Sequence, residues 1–116
     1  MLGIGIDITS VDRITALNSR YGQRFINKVL ASGESFASME SLAGLWAAKE
    51  AVVKAMGTGY LGFGPQSICI TPDSFGAPEV LLRGQAATLA EQRGISRFMV
   101  TISHAEGLAV ACAVAL

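Results

Sequence analysis

Charge is scarce in this chain. Lys, Arg, Asp and Glu make up only 16% of its 116 residues, with nine of each sign and zero net charge at neutral pH. That balance excludes a general nucleic-acid binder, which needs a basic excess to neutralise phosphates. Cysteine occurs only as Cys69 and Cys112. Each sits inside an apolar run without metal-ligand spacing, so both read as small buried hydrophobes rather than a disulfide, a zinc site or a nucleophile. No apolar run approaches the roughly 20 residues of a membrane-spanning helix, and the N-terminus lacks the basic start and apolar core of a signal peptide. A soluble cytoplasmic protein is expected, with neither membrane nor nucleic acid as partner. The length leaves room for one domain, residues 1–116, and not for two. There is one histidine, no nucleophilic triad can be put together from spacing, and no Walker-type phosphate loop is present.

Apolar residues are plentiful, at 51%. In so small a chain this means a well-filled core or apolar surface hidden between copies of the chain. Residues 2–8 alternate, with Leu2, Ile4, Ile6 and Ile8 on one side and Gly3, Gly5 and Asp7 on the other, which predicts a strand. The bare glycine side leaves room for a helix or a ligand to lie close. Thr9 or Ser10 can cap a helix carrying the stripe Val11, Ile14 and Leu17. A break near Gly22 precedes a short helix over 23–30, and 31–38 reads as a loop. Residues 39–56 are Ala-rich and free of Pro, which predicts a long helix stopped by Gly57 and weakened only at Gly44. A glycine-rich loop over 57–64 follows. Strands are expected over 67–71, 78–82, 97–103 and 108–116, with a surface helix over 85–93. Local hairpins among helices point to an α+β fold with an antiparallel-rich sheet, not a doubly wound parallel one.

The chemistry concentrates in Trp46-Ala-Ala-Lys49-Glu50-Ala-Val-Val-Lys54-Ala-Met-Gly57. Trp46, Glu50 and Lys54 share a helical face, and Glu50 and Lys54 have the favoured order for an i,i+4 ion pair. Lys54 also stands just before the glycine-rich loop, whose amides are suited to phosphates. Magnesium takes one or two carboxylates and completes its octahedron with water and phosphate oxygens. Asp7 and Glu50 are the candidate pair to hold it, although by itself Asp7 reads first as a helix-capping or turn aspartate after the strand. His104, as a lone histidine, reads first as a satisfied structural residue; at a strand end beside Ser103 it could also reach a phosphate or a proton in transit. Arg13, Arg20, Arg24 and Lys28 make the early helices basic, a face for an acidic protein.

Three segments together resemble the holo-acyl-carrier-protein synthase family of the phosphopantetheinyl transferase superfamily. They are Gly3-Ile-Gly-Ile-Asp7 followed by Val11-Asp-Arg13-Ile14, then Leu45 to Gly59 with the pattern W-x-x-K-E-A-x-x-K-A-x-G-T-G, and Ser103-His104 before the small-residue strand 108–114. The resemblance runs in order over nearly the whole chain. The middle motif is the specific one. The segment between Leu30 and Leu45 is shorter than usual for the family, and Phe75-Gly-Ala-Pro78 lacks its usual asparagine and lysine.

The resemblance implies the phosphopantetheinyl transferase fold, in a homotrimer with active sites between neighbouring subunits. It implies transfer of 4′-phosphopantetheine from coenzyme A to a serine of an acyl carrier protein, with magnesium as cofactor, in support of fatty acid biosynthesis. By motif, Asp7 and Glu50 match the metal ligands. Glu50, Lys54 and His104 match catalytic positions. Lys49, Lys54, Gly57, Thr58, Gly59, Ser103 and His104 match positions that contact coenzyme A, and Arg13, Arg20 and Arg24 match the carrier-docking face. Acceptance of the serine proton is left open among Glu34, His104 and a water on the metal. An inactive module of the same fold, binding coenzyme A or a carrier, is the alternative to an enzyme.

Overall fold

In a computed structural model that describes residues 1–116, the long helix and the glycine strand organise the molecule. Strand β1 (Gly3–Ser10) leads into helices α1 (Val11–Tyr21) and α2 (Gln23–Val29), and then into the central helix α3 (Met39–Met56). A single turn of 3₁₀ helix, Pro65–Ser67, precedes the hairpin β2 (Ile68–Pro72) and β3 (Pro78–Leu82). Helix α4 (Gly84–Gln92) and the hairpin β4 (Phe98–Ala105) and β5 (Leu108–Ala115) complete the chain. The α+β expectation holds, and both sheets are antiparallel. The 3₁₀ turn was not foreseen. Its only local sign is Pro65, which pre-sets φ at the first position.

The larger sheet has the order β1-β5-β4, with Asp7 opposite Ala111 and Ala111 opposite Ile102. Its covered face is built from very small residues. Ala109, Ala111, Ala113 and Ala115 of β5 are buried there, next to Gly3 and Gly5 of β1. A Cβ at Gly3 or Gly5 would lie 2.0 Å from the carbonyl oxygens of Ala55 and Ala51 respectively, so only glycine lets α3 settle this close. The alternation in β1 therefore works opposite to the usual pattern. Its glycine face meets the core, while Ile4, Ile6 and Ile8 stand about 60% exposed on the open face. Met99 of β4 joins them, also exposed.

Ser38 and Ser41 form a reciprocal capping box at the start of α3, and Gly57 in the left-handed conformation ends it. Gly44, the expected weak point, has a spatial reason. A Cβ there would lie 2.9 Å from Nε2 of His104, so the glycine makes room for the imidazole. Cys69 is buried as expected, whereas Cys112 lies half-buried on the open side of β5.

Candidate active site

Asp7, Glu50 and Lys54 meet where α3 crosses β1. Asp7 is on the covered side of the strand, two residues beyond Gly5, so the close approach of α3 brings the helix face within reach. Lys54 Nζ donates to the carbonyl oxygen of Ile6 at 2.9 Å and to Asp7 Oδ1 at 3.3 Å. The ion pair thus runs from helix to strand. The i,i+4 pairing with Glu50 suggested by the sequence does not form, because the strand offers Lys54 two oxygens at once. Nor does Asp7 stand alone: the buried Thr9 hydroxyl donates to its Oδ2 at 2.7 Å.

Glu50 takes a different partner. Tyr60 Oη donates to its Oε1 at 3.1 Å, while Oε2 accepts no hydrogen bond and is not sealed from solvent. Burial pushes the Glu50 carboxyl above the ordinary carboxylate range. The Tyr60 hydrogen bond pulls it back, and the negative charge of Asp7 adds to the rise; Lys54 and Arg13 oppose it. Burial also pushes the Tyr60 phenol upward, and the Glu50 charge adds to this, so Tyr60 remains a donor. Thr9 and Tyr60 are partners of the two carboxylates that sequence reasoning missed. Thr9 carried a signal, its same-face spacing from Asp7 on a strand. Tyr60 carried none, since it arrives through a loop.

The two carboxylates have no third His, Cys, Asp or Glu close enough to complete a protein cage. They make a hard, oxygen-only donor set of the kind magnesium accepts when phosphate oxygens and water fill the remaining positions. A cation between them would also relieve the repulsion that helps raise Glu50. The residues present fit the metal.

Lys49 requires a correction. It was expected to assist at coenzyme A phosphates, but its side chain is 1% exposed and its ammonium is fully engaged. Nζ donates to Glu34 Oε1 and to the Val29 carbonyl at 2.6 Å each, and to the Pro65 carbonyl at 3.0 Å. An ammonium has three donors, and none is left for a phosphate. Burial lowers the Lys49 pKa, and the bond and charge of Glu34 oppose that. Glu34 is equally committed. Its Oε1 also accepts from the Ala31 N–H and its Oε2 from the Ile70 N–H, each at 2.7 Å. A fully hidden carboxylate with both oxygens bonded is no acceptor for a substrate proton, so Glu34 leaves the set of candidate bases.

Ser103 and His104 separate. Successive strand residues point to opposite faces. Ser103 is exposed on the open side, while His104, opposite the buried Ala109, is on the side of α3. The His104 ring is exposed and its Nε2 lies 2.8 Å from the Glu40 carbonyl oxygen, which makes Nε2 the protonated nitrogen. It borders a cleft of about 340 Å³ shared with Ser41, Gly44, Thr71 and the hairpin residues Gly76 and Pro78. Asp7 and His104 stand on the same face but on the two outer strands. Two strand spacings, about 10 Å, separate those strands, and α3 lies across the gap. The chain does not bring His104 to the carboxylates.

At the glycine turn, the Gly57 N–H is taken by the carbonyls of Val53 and Lys54, so this amide is not offered to a phosphate. Thr58 Oγ1 donates to the Gly59 carbonyl at 2.8 Å. The guanidinium of Arg93 comes close to Gly57, 3.2 Å from where a Cβ would sit, and adds a cation that the sequence had not placed at this turn. Arg13 and Arg20 are exposed on α1, and Arg24 is exposed on α2 beyond the Gly22 break. Arg20 stacks over the Tyr21 ring at 5.2 Å. Arg24 and Lys28 flank a largely apolar cleft of about 500 Å³ walled by Leu17, Tyr21, Phe25 and Trp46. Trp46 is one helical turn before Glu50, so this cleft adjoins the carboxylate site instead of enclosing it.

The chain as a whole is similar to a known class of proteins. The family model of the 4′-phosphopantetheinyl transferase superfamily matches residues 3–113, and the chain belongs to that superfamily. Among curated relatives, the holo-[acyl-carrier-protein] synthase of Gloeobacter violaceus is 40% identical over 115 residues, covering 93% of this chain and 87% of the relative. That of Halothermothrix orenii is 41% identical over 115 residues, covering 94% and 92%. The crystal structure of holo-[acyl-carrier-protein] synthase from Neisseria meningitidis superposes with a TM-score of 0.93 at 36% identity, over 100% of this chain and 98% of that one. The Helicobacter pylori synthase in complex with coenzyme A gives 0.87 at 30% identity, over 97% and 99%.

Proposed function

We propose that this chain transfers 4′-phosphopantetheine from coenzyme A to a serine of an apo acyl carrier protein, giving the holo carrier and adenosine 3′,5′-bisphosphate. The observation that carries the reading is the convergence of Asp7, Glu50 and Lys54 at the crossing of β1 and α3, in a chain of this superfamily. The similarity to the Helicobacter pylori enzyme, solved with coenzyme A, supports the choice of donor.

Asp7 Oδ1 and Glu50 Oε2 are the oxygens that would hold magnesium. Bound there, the ion supplies neutralisation of the coenzyme's pyrophosphate as the bridging bond breaks. Lys54, more than half exposed, turns its ammonium from Asp7 to a phosphate oxygen when the substrate arrives. Phosphoryl transfer of this type depends mainly on positioning and charge stabilisation, and these residues supply both.

His104 serves the same reaction from a neighbouring copy. The open face of the large sheet carries Leu2, Ile4, Ile6, Ile8 and Met99, each more than half exposed. A contiguous apolar patch of this kind marks an association surface, and its burial in a homotrimer brings the His104 cleft of one subunit toward the carboxylates of the next. The carrier docks on α1 and α2. Arg13, Arg20 and Arg24 meet its acidic side chains, and the apolar cleft beside Trp46 takes a nonpolar one.

The test is a mass measurement on an apo acyl carrier protein mixed with this protein, coenzyme A and magnesium. A gain of about 340 Da, the mass of one phosphopantetheine group, that disappears with a chelator supports the reading. Coenzyme A binding without any gain on a panel of carriers overturns it in favour of a binding module.

A further inference from the structure

We infer that Tyr60 is a positioning residue for the metal site, holding the Glu50 carboxylate so that Oε2 is presented to the cation. This rests on the assignment of Asp7 and Glu50 as metal ligands. The hydrogen bond from Tyr60 Oη occupies Oε1 at 3.1 Å and leaves Oε2 without a protein partner. A glutamate has three side-chain torsions, and on an exposed helix face it samples many rotamers. One hydrogen bond to a fixed donor removes most of that freedom. Partners of this kind behind a ligand typically govern metal affinity by about 10–100-fold.

The donor is fixed because its loop is held at both ends by the helix that carries Glu50. At one end, the Gly57 N–H bonds back to the carbonyls of Val53 and Lys54. At the other, the Pro65 carbonyl accepts from the buried Lys49 ammonium at 3.0 Å, one residue from Glu50. Gly57, Gly59 and Gly62 all take positive φ, at 76°, 64° and 80°, which lets so short a loop fold back over α3. The Tyr60 ring then packs edge-on against Phe63, with centroids 5.4 Å apart. Asp7 has the matching arrangement on the other side of the site, where the buried Thr9 hydroxyl occupies Oδ2. Each carboxylate thus has one oxygen held by a neighbouring hydroxyl. The buried Lys49–Glu34 pair acquires a purpose here: it pins the far end of the loop that delivers the phenol.

The experiment compares wild type, Tyr60→Phe and Glu50→Gln by manganese titration, with free Mn²⁺ followed by electron paramagnetic resonance and no carrier present. Tyr60→Phe keeps the ring on Phe63 and removes one hydrogen bond, so it should keep wild-type circular dichroism and melt cooperatively at a modestly lower temperature. Its Mn²⁺ dissociation constant should rise about 10–100-fold, with an equal rise in the magnesium concentration for half-maximal transfer. Saturating magnesium should then restore most of the turnover, which a damaged fold would not allow. Tyr60→Leu, lacking both hydroxyl and ring, should weaken Mn²⁺ at least as much. Wild-type Mn²⁺ affinity in Tyr60→Phe overturns the positioning role while leaving the metal assignment intact. Undiminished Mn²⁺ binding in Glu50→Gln overturns the assignment, and the role of Tyr60 falls with it.

Discussion

Lys49 Nζ and Glu34 Oε1 are 2.6 Å apart, in side chains that are 1% and 0% exposed. Between them they bond the end of α2, the 31–34 turn, the middle of β2 and the end of the glycine-rich loop. A buried pair of this kind is weak evidence of net stabilisation, but removing one partner strands the other charge.

Lys49→Ala or Glu34→Ala should therefore cost about 3–5 kcal/mol, a large share of the stability of a domain this size. Urea denaturation measures it. A midpoint unchanged from wild type in either variant would show that the freed partner reaches water and that the junction is looser than described.

Glu50 illustrates the opposite balance. Its folded-state pKa is raised above 4.5 by burial. Its contribution to stability is therefore fully present below the unfolded value and is lost as pH rises through the folded one. Glu50→Gln, which does not ionise, should melt higher than wild type at neutral pH in the presence of chelator. The difference should shrink as the pH falls toward 4.5 and below. A Gln variant that melts lower at neutral pH would mean that the contacts from Tyr60, Lys54 and Arg13 outweigh burial.

What the sequence disclosed, and what it did not, follows from the range of the interactions. β1, α3 and the glycine stop at Gly57 are local patterns, and the periodicities of 2 and 3.6 residues placed them closely. Asp7 and Glu50 stood out only as carboxylates in otherwise apolar elements, and for Asp7 the family's motifs, not its local pattern, made the difference from a turn or capping aspartate. Lys49 was misassigned because its adjacency to Glu50 in sequence puts it a third of a turn away around α3, pointing inward. Its partners Glu34 and Pro65 are 15 and 16 residues distant, beyond any local signal. Ser103 and His104 were paired for the same reason, and strand alternation divides them. Tyr60 reaches Glu50 only because three glycines turn the chain back.

The open face of the sheet can be tested directly. Ile4 is 60% exposed in the single chain, and a polar residue at such a site ordinarily changes stability by no more than about 0.5 kcal/mol. If this face carries the proposed homotrimer, wild type should sediment as an oligomer and Ile4→Asp as a monomer, with its far-ultraviolet circular dichroism retained. Transfer activity should be lost with the assembly. Wild-type sedimentation of the variant would mean that another surface carries the association.

The separation of Asp7 from His104 by α3 makes a sharper demand. If both serve one reaction, a complete site needs two chains, and two inactive variants should rescue each other. Asp7→Ala and His104→Ala, each inactive alone, can be co-expressed with different tags and purified as mixed oligomers over two affinity steps. A cyclic trimer containing both kinds of chain has one interface that pairs an intact Asp7 with an intact His104, so activity should return to about a third of wild type. Recovery near that level identifies the site as shared between neighbouring subunits. Mixed oligomers as inactive as their parents would confine the reaction to the β1–α3 crossing of a single chain and reduce His104 to what its bond with the Glu40 carbonyl already shows, a strap between β4 and the start of α3.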